Sequence, residues 1–258
     1  MIMISFTAGS KAFEAELFVF DKDGLMFDSV LFWRELANKR CEVIARVCES
    51  TETAIRWAQL MGTDTRFCGD TAETSYVDPL GVMAVASPYE ERTVTAGLLS
   101  DIYGWKWHTA RDKAIEIFST ADRELDLKKA IVPQPGYQQL FDRLIEMNIP
   151  YAVATSDTLD RTRDSMGLFG HFSHVRYVVT PEDVAEGKPA PDMLLLMSQK
   201  SGVPISKIAM VGDSYVDVKM ANAAGAIGIG VTRDPEMKQK MEPYASAIIE
   251  TLNEICLQ

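Results

Sequence analysis

Long apolar runs are missing from this chain, and so are cysteine pairs, spaced histidine ligands and any excess of positive charge. The longest apolar stretch of note, Leu80 to Ala86, is seven residues and contains Gly81, far short of the roughly 20 residues that a membrane helix needs. The opening Met1-Ile2-Met3-Ile4 is too short for the apolar region of a signal peptide. Cys41, Cys48, Cys68 and Cys256 make no C-x-x-C pair and no zinc spacing, which points to the reducing cytoplasm. His108, His171 and His174 show no metal-ligand spacing. With 37 acidic against 26 basic residues the net charge is −11, so neither nucleic acid nor an acidic membrane is the expected partner. A phosphorylated metabolite would have to be met by locally placed cations or a metal. Internal repeats, low-complexity tracts and charge blocks are also absent.

What remains is an ordinary globular composition, 47% hydrophobic and 24% charged over 258 residues, enough for one large domain or two modest ones. Residues 1–13 read as a loose lead-in with a short strand at Ile2 to Phe6, and regular structure is expected from Leu17. Leu31, Phe32, Leu36, Ala37, Val43, Ile44 and Val47 recur at helical spacing. Thr51 to Met61 reads as a second helix, capped by Thr51 or Thr53 and stopped by Gly62. The polar segment Thr63 to Ser87 carries no clear pattern, and Pro88 to Tyr103 and Trp105 to Ala121 read as helices. From Pro133 the pattern changes to strands at 150–155, 174–179, 207–211, 226–231 and 247–249. Helices are expected between them at 137–147, 159–166, 191–200 and 216–224. Strands alternating with helices over short connections mean βαβ units and a parallel sheet. The expected architecture is therefore α/β, a Rossmann-like parallel-sheet core at 1–28 and 131–258 interrupted by an all-helical domain at 29–130.

The stretch Leu17-Phe18-Val19-Phe20-Asp21-Lys22-Asp23-Gly24 organises the rest. Four apolar residues followed by two acids and a glycine read as a buried strand delivering a carboxylate to its C-terminal end, where open α/β sheets bind ligands. A calcium loop is excluded, because glycine and glutamate would be required where Met26 and Phe32 stand. The residues alone leave two readings open: a polar turn, or a site for a divalent cation and an anionic group. Other strand or loop ends repeat the theme in Thr155-Ser156-Asp157, in Gly187-Lys188-Pro189-Ala190-Pro191-Asp192 and in Gly212-Asp213-Ser214-Tyr215-Val216-Asp217. In a parallel sheet such ends share one edge and can converge on one pocket.

D-x-D-G after an apolar strand, a threonine at the next motif, K-P-x-P-D and G-D-S-x-x-x-D follow in an order that resembles the haloacid dehalogenase superfamily of phosphohydrolases. The insertion directly after Asp28-Ser29 is similar to the subgroup with a helical cap, which contains phosphoglycolate phosphatase and β-phosphoglucomutase. The resemblance implies that Asp21 is a nucleophile forming an aspartyl-phosphate and that Asp23 protonates the leaving alcohol and then activates water. It implies further that Thr155 and the Ser156 amide hold a phosphoryl oxygen, Gly24 lets the backbone approach the substrate, and Lys188 neutralises charge. Mg²⁺ would be held by Asp21, Asp213 and the carbonyl of Asp23. Two carboxylates so close do not readily ionise together, which suits a division of labour between Asp21 and Asp23. Asp217 either orients Lys188 or a metal-bound water, or caps the helix near Val216. Asp192 reads as a first-turn acid facing the helix dipole.

Relatives that cleave carbon–halogen or carbon–phosphorus bonds need no general acid two residues past the nucleophile, so Asp23 favours an ester-bound phosphate. Substrate selection in capped relatives falls to the cap, where Phe27, Trp33, Arg34 and Arg66 are the candidates, the aromatics being equally suited to core packing. The expected activity is a Mg²⁺-dependent phosphatase acting on a small phosphomonoester such as phosphoglycolate or a sugar phosphate. The alternatives are a sugar phosphomutase and, in another class, a non-catalytic phosphometabolite-binding protein. A small phosphorylated metabolite is the expected partner of a monomer or homodimer.

Overall fold

The computed structural model describes residues 3–258 and divides them into two units. The first is Met1–Asp28 with Pro133–Gln258 and the second is Ser29–Val132, so the chain re-enters the first unit two residues later than the expected 131.

The first unit opens with the hairpin β1 (Ile4–Ala8) and β2 (Lys11–Ala15), followed by β3 (Leu17–Phe20). The short strand expected at Ile2 to Phe6 overlaps β1, its Ile2 lying outside the described residues, while the loose lead-in around it is corrected to a hairpin. Gly9, at φ +58°, makes the tight turn between the strands. The second unit carries α1 (Ser29–Val47), α2 (Thr51–Met61), β4 (Arg66–Cys68), β5 (Thr71–Glu73), α3 (Val82–Val85), α4 (Pro88–Tyr103), α5 (Trp107–Glu124) and α6 (Leu127–Ala130). The first unit then resumes with α7 (Tyr137–Glu146), β6 (Tyr151–Ala154), α8 (Leu159–Gly167), β7 (Val175–Val179), α9 (Asp192–Ser201) and β8 (Ile208–Gly212). It closes with α10 (Tyr215–Ala224), β9 (Ile227–Val231), α11 (Pro235–Met241), β10 (Ala247–Ile249) and β11 (Ile255–Leu257).

Six strands form one sheet in the order β10-β9-β8-β3-β6-β7, and every pairing in it is parallel. From β3 the chain builds outward through β6 and β7, then returns to the other side of β3 through β8, β9 and β10. The reversal puts the sheet's switch point at β3, where an open α/β sheet has its crevice. Strands buried on both sides read as continuous apolar runs, and Leu17–Phe20, Tyr151–Ala154 and Ile208–Gly212 are buried throughout. Alternation splits the faces. Leu17, Val19, Ala152, Ala154, Ile208 and Met210 pack with Met193, Leu194 and Met197 of α9 and Met220 and Ala221 of α10. Phe18 and Phe20 turn the other way, with Phe18 against Phe6 at 4.9 Å between ring centres and Phe20 against Phe141 of α7 at 4.8 Å. A separate antiparallel sheet, β11-β1-β2, carries Phe6.

The second unit is not all helical: Arg66–Cys68 and Thr71–Glu73 pair as an antiparallel hairpin inside the segment that showed no pattern. Their exposed, polar, three-residue strands are too short to display a period of two. The cap of α2 is Ser50, whose hydroxyl accepts from the Thr53 N–H, rather than Thr51 or Thr53; Gly62 ends the helix at φ +83° as expected. Ser87 and Glu90 form a reciprocal capping box at α4, with Pro88 in its first turn. Arg40, fully buried on α1, donates to Glu91 of α4 at 2.9 Å and lies over the Phe118 ring of α5, so one guanidinium joins three helices. Among the described residues no helix is long and apolar enough to cross a membrane.

Candidate active site at the switch point

Register places the acidic turns side by side. Phe20 pairs with Val211 on one side and Val153 on the other, so Asp21, Asp213 and Thr155 leave the C-terminal ends of three adjacent strands. The Asp21 N–H donates to the Val211 carbonyl at 2.9 Å, which extends the ladder to the residue that carries the carboxylate.

Oxygens of Asp21, Asp213 and Asp217 lie within 4.8 Å of one another. Lys188 reaches this group from the loop before α9, with Nζ 2.6 Å from Asp21 Oδ1 and 2.7 Å from Asp217 Oδ1. Asp217 faces two partners. One oxygen meets Lys188 while the other accepts from the Ser214 N–H at the start of α10, at 3.2 Å. Asp192 stands in the first turn of α9 and also accepts from the Glu186 N–H, bracing the loop that carries Lys188.

Burial pushes the Asp21 carboxyl above its ordinary range against the opposing pull of Lys188. It pushes Asp213 well above, with the charges of Asp21 and Asp217 adding to it. For Lys188 burial works toward neutrality, but the facing Asp21 and Asp217 charges outweigh it and hold the ammonium in its charged form. Three carboxylates against one ammonium leave an excess of negative charge in a desolvated cluster, and their hard oxygen donors suit a small divalent cation. The residues therefore fit Mg²⁺. Gly24, at φ +90°, has room only for hydrogen, since a Cβ there would overlap the Asp213 carboxylate. Its N–H donates to the Phe27 carbonyl at 2.9 Å, and the residue also lines the cavity beside Asp213.

Asp23 is not one of these three carboxylates; its own is paired with the Lys22 ammonium. Burial, partly offset by Lys22, raises its carboxyl to about 6. Its side chain is thus not one of the clustered carboxylates, and only the carbonyl remains to serve a metal as expected. Thr155 is fully buried, its Oγ1 accepting from the Asp157 N–H at 3.0 Å, and Ser156 is exposed on the same turn. A cavity of about 330 Å³ opens beside Gly24 and Asp213, walled also by Gln134, Thr232, Arg233 and Thr251, which is within the range of small-molecule sites. Arg66 lies exposed on β4 of the second unit, opposite Glu73. Phe27 packs against Tyr137 at 4.9 Å and Phe169 at 5.7 Å, an ordinary core role. Arg34 donates to the Thr74 carbonyl.

Sequence reasoning passed over Lys22, Asp157 and Arg161. Lys22 Nζ is 3.0 Å from Asp157 Oδ2, and Arg161 of α8 is 3.2 Å from Asp157 Oδ1. The available signal was a lysine set between an apolar strand and an acid, because a buried lysine needs a carboxylate partner.

The matched relatives include a protein described as a probable pseudouridine-5'-phosphatase from Drosophila melanogaster, 30% identical over 138 residues, 51% of this chain and 59% of that one. A phosphoglycolate phosphatase from Neisseria meningitidis is 28% identical over 100 residues, 39% of this chain and 43% of that one. This chain thus spans about half the length of the curated relatives it matches. The solved structure of a HAD-superfamily hydrolase, subfamily IA, from Geobacter sulfurreducens covers 93% of this chain and 94% of its own at 19% identity with a TM-score of 0.56, a likeness of fold. Residues 15–225 match the family model described as haloacid dehalogenase-like hydrolase. A match running over most of the chain, from the end of β2 to the glycine after α10, makes this protein a member of the haloacid dehalogenase-like hydrolase family.

Proposed function

We propose that the chain is a Mg²⁺-dependent phosphatase of small phosphomonoesters that works through an aspartyl-phosphate. The observation that carries this reading is the pairing at the end of β3. Asp21 is held at 2.6 Å by Lys188 beside two further carboxylates, while Asp23 is handed to a different lysine.

An oxygen of Asp21 attacks phosphorus and the bond from phosphorus to the ester oxygen breaks, with the proton of the Asp23 carboxyl passing to the departing oxygen. Water then attacks the aspartyl-phosphate, giving its proton to Asp23, and the bond between Asp21 and phosphorus breaks to release phosphate. Lys188 offsets the charge that gathers between nucleophile and phosphoryl group. In this reading the Thr155 hydroxyl and the Ser156 amide hold a phosphoryl oxygen. Asp21 and Asp213, with the Asp23 carbonyl, would hold Mg²⁺, whose positive charge supplies Lewis-acid stabilisation of the phosphate oxygens. The phosphatase names of the matched relatives support the reaction class, and the intact set of acids argues against a protein that only binds.

A panel of phosphate esters, including phosphoglycolate, pseudouridine 5'-phosphate and hexose phosphates, tests the reading with and without Mg²⁺. Phosphate release that is lost on chelation and restored by Mg²⁺ is expected. Full activity in chelator would remove the metal from the reading, and movement of label between hydroxyls of a hexose phosphate without free phosphate would identify a mutase. Asp213→Asn, which removes one clustered carboxylate, is expected to raise the Mg²⁺ concentration for half-maximal activity at least about tenfold. An unchanged requirement would exclude Asp213 as a ligand.

A further inference from the structure

Lys22 is fully buried, yet it follows an apolar strand whose other residues need no charge. Its Nζ lies against Asp23 Oδ1 and 3.0 Å from Asp157 Oδ2. Asp157 is itself anchored: its Oδ1 accepts from the Thr158 N–H at 2.8 Å and from Arg161 at 3.2 Å. Burial is outweighed at Asp157 by the charges of Lys22 and Arg161, which hold its carboxyl below the ordinary range. The Asp157 N–H donates to Thr155 Oγ1. One continuous path thus runs from Asp23 through Lys22 and Asp157 to the buried threonine hydroxyl at the end of β6.

A buried ion pair is a poor device for stability, since apolar residues of similar volume do as well or better. What it supplies is a fixed direction. Asp23 sits on a turn between Lys22 and the positive-φ Gly24 and is 19% exposed at its side chain, so the backbone alone leaves its carboxyl free to rotate. The two acids at the end of β3 are also kept apart in partnership, Asp21 with Lys188 and Asp23 with Lys22.

We propose that Lys22 is a positioning residue: anchored by Asp157, its ammonium fixes the Asp23 carboxyl group where it meets the departing ester oxygen. This rests on the phosphatase reading and assigns within it how the proton-handling acid is aimed. Lys22 touches no reacting atom; it acts through Asp23.

The test compares two leaving groups. p-Nitrophenolate departs with little help from a proton, whereas the alkoxide of an alkyl phosphate requires one. Initial rates are measured for wild type, Lys22→Met, Asp157→Asn and the double variant on p-nitrophenyl phosphate and on the best alkyl ester of the panel. The quantity compared is kcat/KM, which reports all steps through departure of the alcohol. Lys22→Met is expected to lose on the order of 100-fold on the alkyl ester and less than about tenfold on p-nitrophenyl phosphate. Asp157→Asn should show the same skew at about a tenfold scale. Equal losses on both substrates, or none, would overturn the proposal, because a merely structural role does not sense the leaving group. Should Lys22→Met fail to fold, Lys22→Met with Asp157→Asn removes both charges together. That pair is expected to keep the skew, and recovered alkyl-ester turnover in it would also overturn the proposal. Wild-type protein that hydrolyses no ester would instead bring down the phosphatase reading and this inference with it.

Discussion

Replacing Asp21 with Asn is expected to abolish ester hydrolysis, with a loss on the order of 10⁴-fold or more in kcat, while the melting temperature stays close to that of wild type. The amide is nearly isosteric with the carboxylate and keeps an oxygen for Lys188, 2.6 Å away in the native protein. The Asp21 N–H bond to Val211 belongs to the backbone and is untouched. What disappears is the proposed nucleophile. Acid quench after a pulse of labelled ester should therefore trap phosphate on the wild-type chain and none on Asp21→Asn. A variant that turns over at an undiminished rate would take Asp21 out of the chemistry.

Lys188→Met should be the most damaging change for stability and activity together. Its ammonium, 4% exposed, faces Asp21 and Asp217 at 2.6 and 2.7 Å, and removing one partner of a buried ionic group costs about 3–5 kcal/mol. The charge opposing the phosphoryl group is lost as well, which is expected to lower kcat by about 10²–10³-fold. The two losses are separable. In the proposed site Mg²⁺ would supply positive charge to the same carboxylates, so it should raise the melting temperature of Lys188→Met by more than that of wild type, without restoring turnover. Equal Mg²⁺ stabilisation of both proteins would show that Lys188 and the cation do not share the Asp21, Asp213 and Asp217 group.

The parts of this molecule that were legible in its residues are those where one requirement acts alone. Leu17–Phe20, Tyr151–Ala154 and Ile208–Gly212 are buried on both faces, so apolar runs mark them, and the acids beyond them mark the edge at which they end. Gly62, Gly202 and Gly225 stop their helices in the left-handed conformation that only glycine adopts without strain. Of the small antiparallel sheet only part of β1 was legible, as the short strand expected at Ile2 to Phe6; β2 and β11 were not, because β1 takes a partner at the far end of the chain, Phe6 opposite Leu257, and a partially exposed strand shows its character only once paired. Lys22 was hidden because its meaning lies in Asp157, 135 positions later.

Strand order also governs how the chain acquires its shape. Of the six-stranded sheet β3 emerges first from synthesis, as four bare apolar residues, yet both neighbours that sandwich it, beginning at Tyr151 and Ile208, follow only after the whole of Ser29–Val132 has been made. The intervening helices can gather through contacts close in sequence, whereas the sheet must close a loop of well over a hundred residues, a slow step for a nascent polypeptide. During that wait Leu17–Phe20 is a sticky ribbon with no mate. Chaperone demand and aggregation on overproduction should therefore trace to this segment rather than to the helical insert.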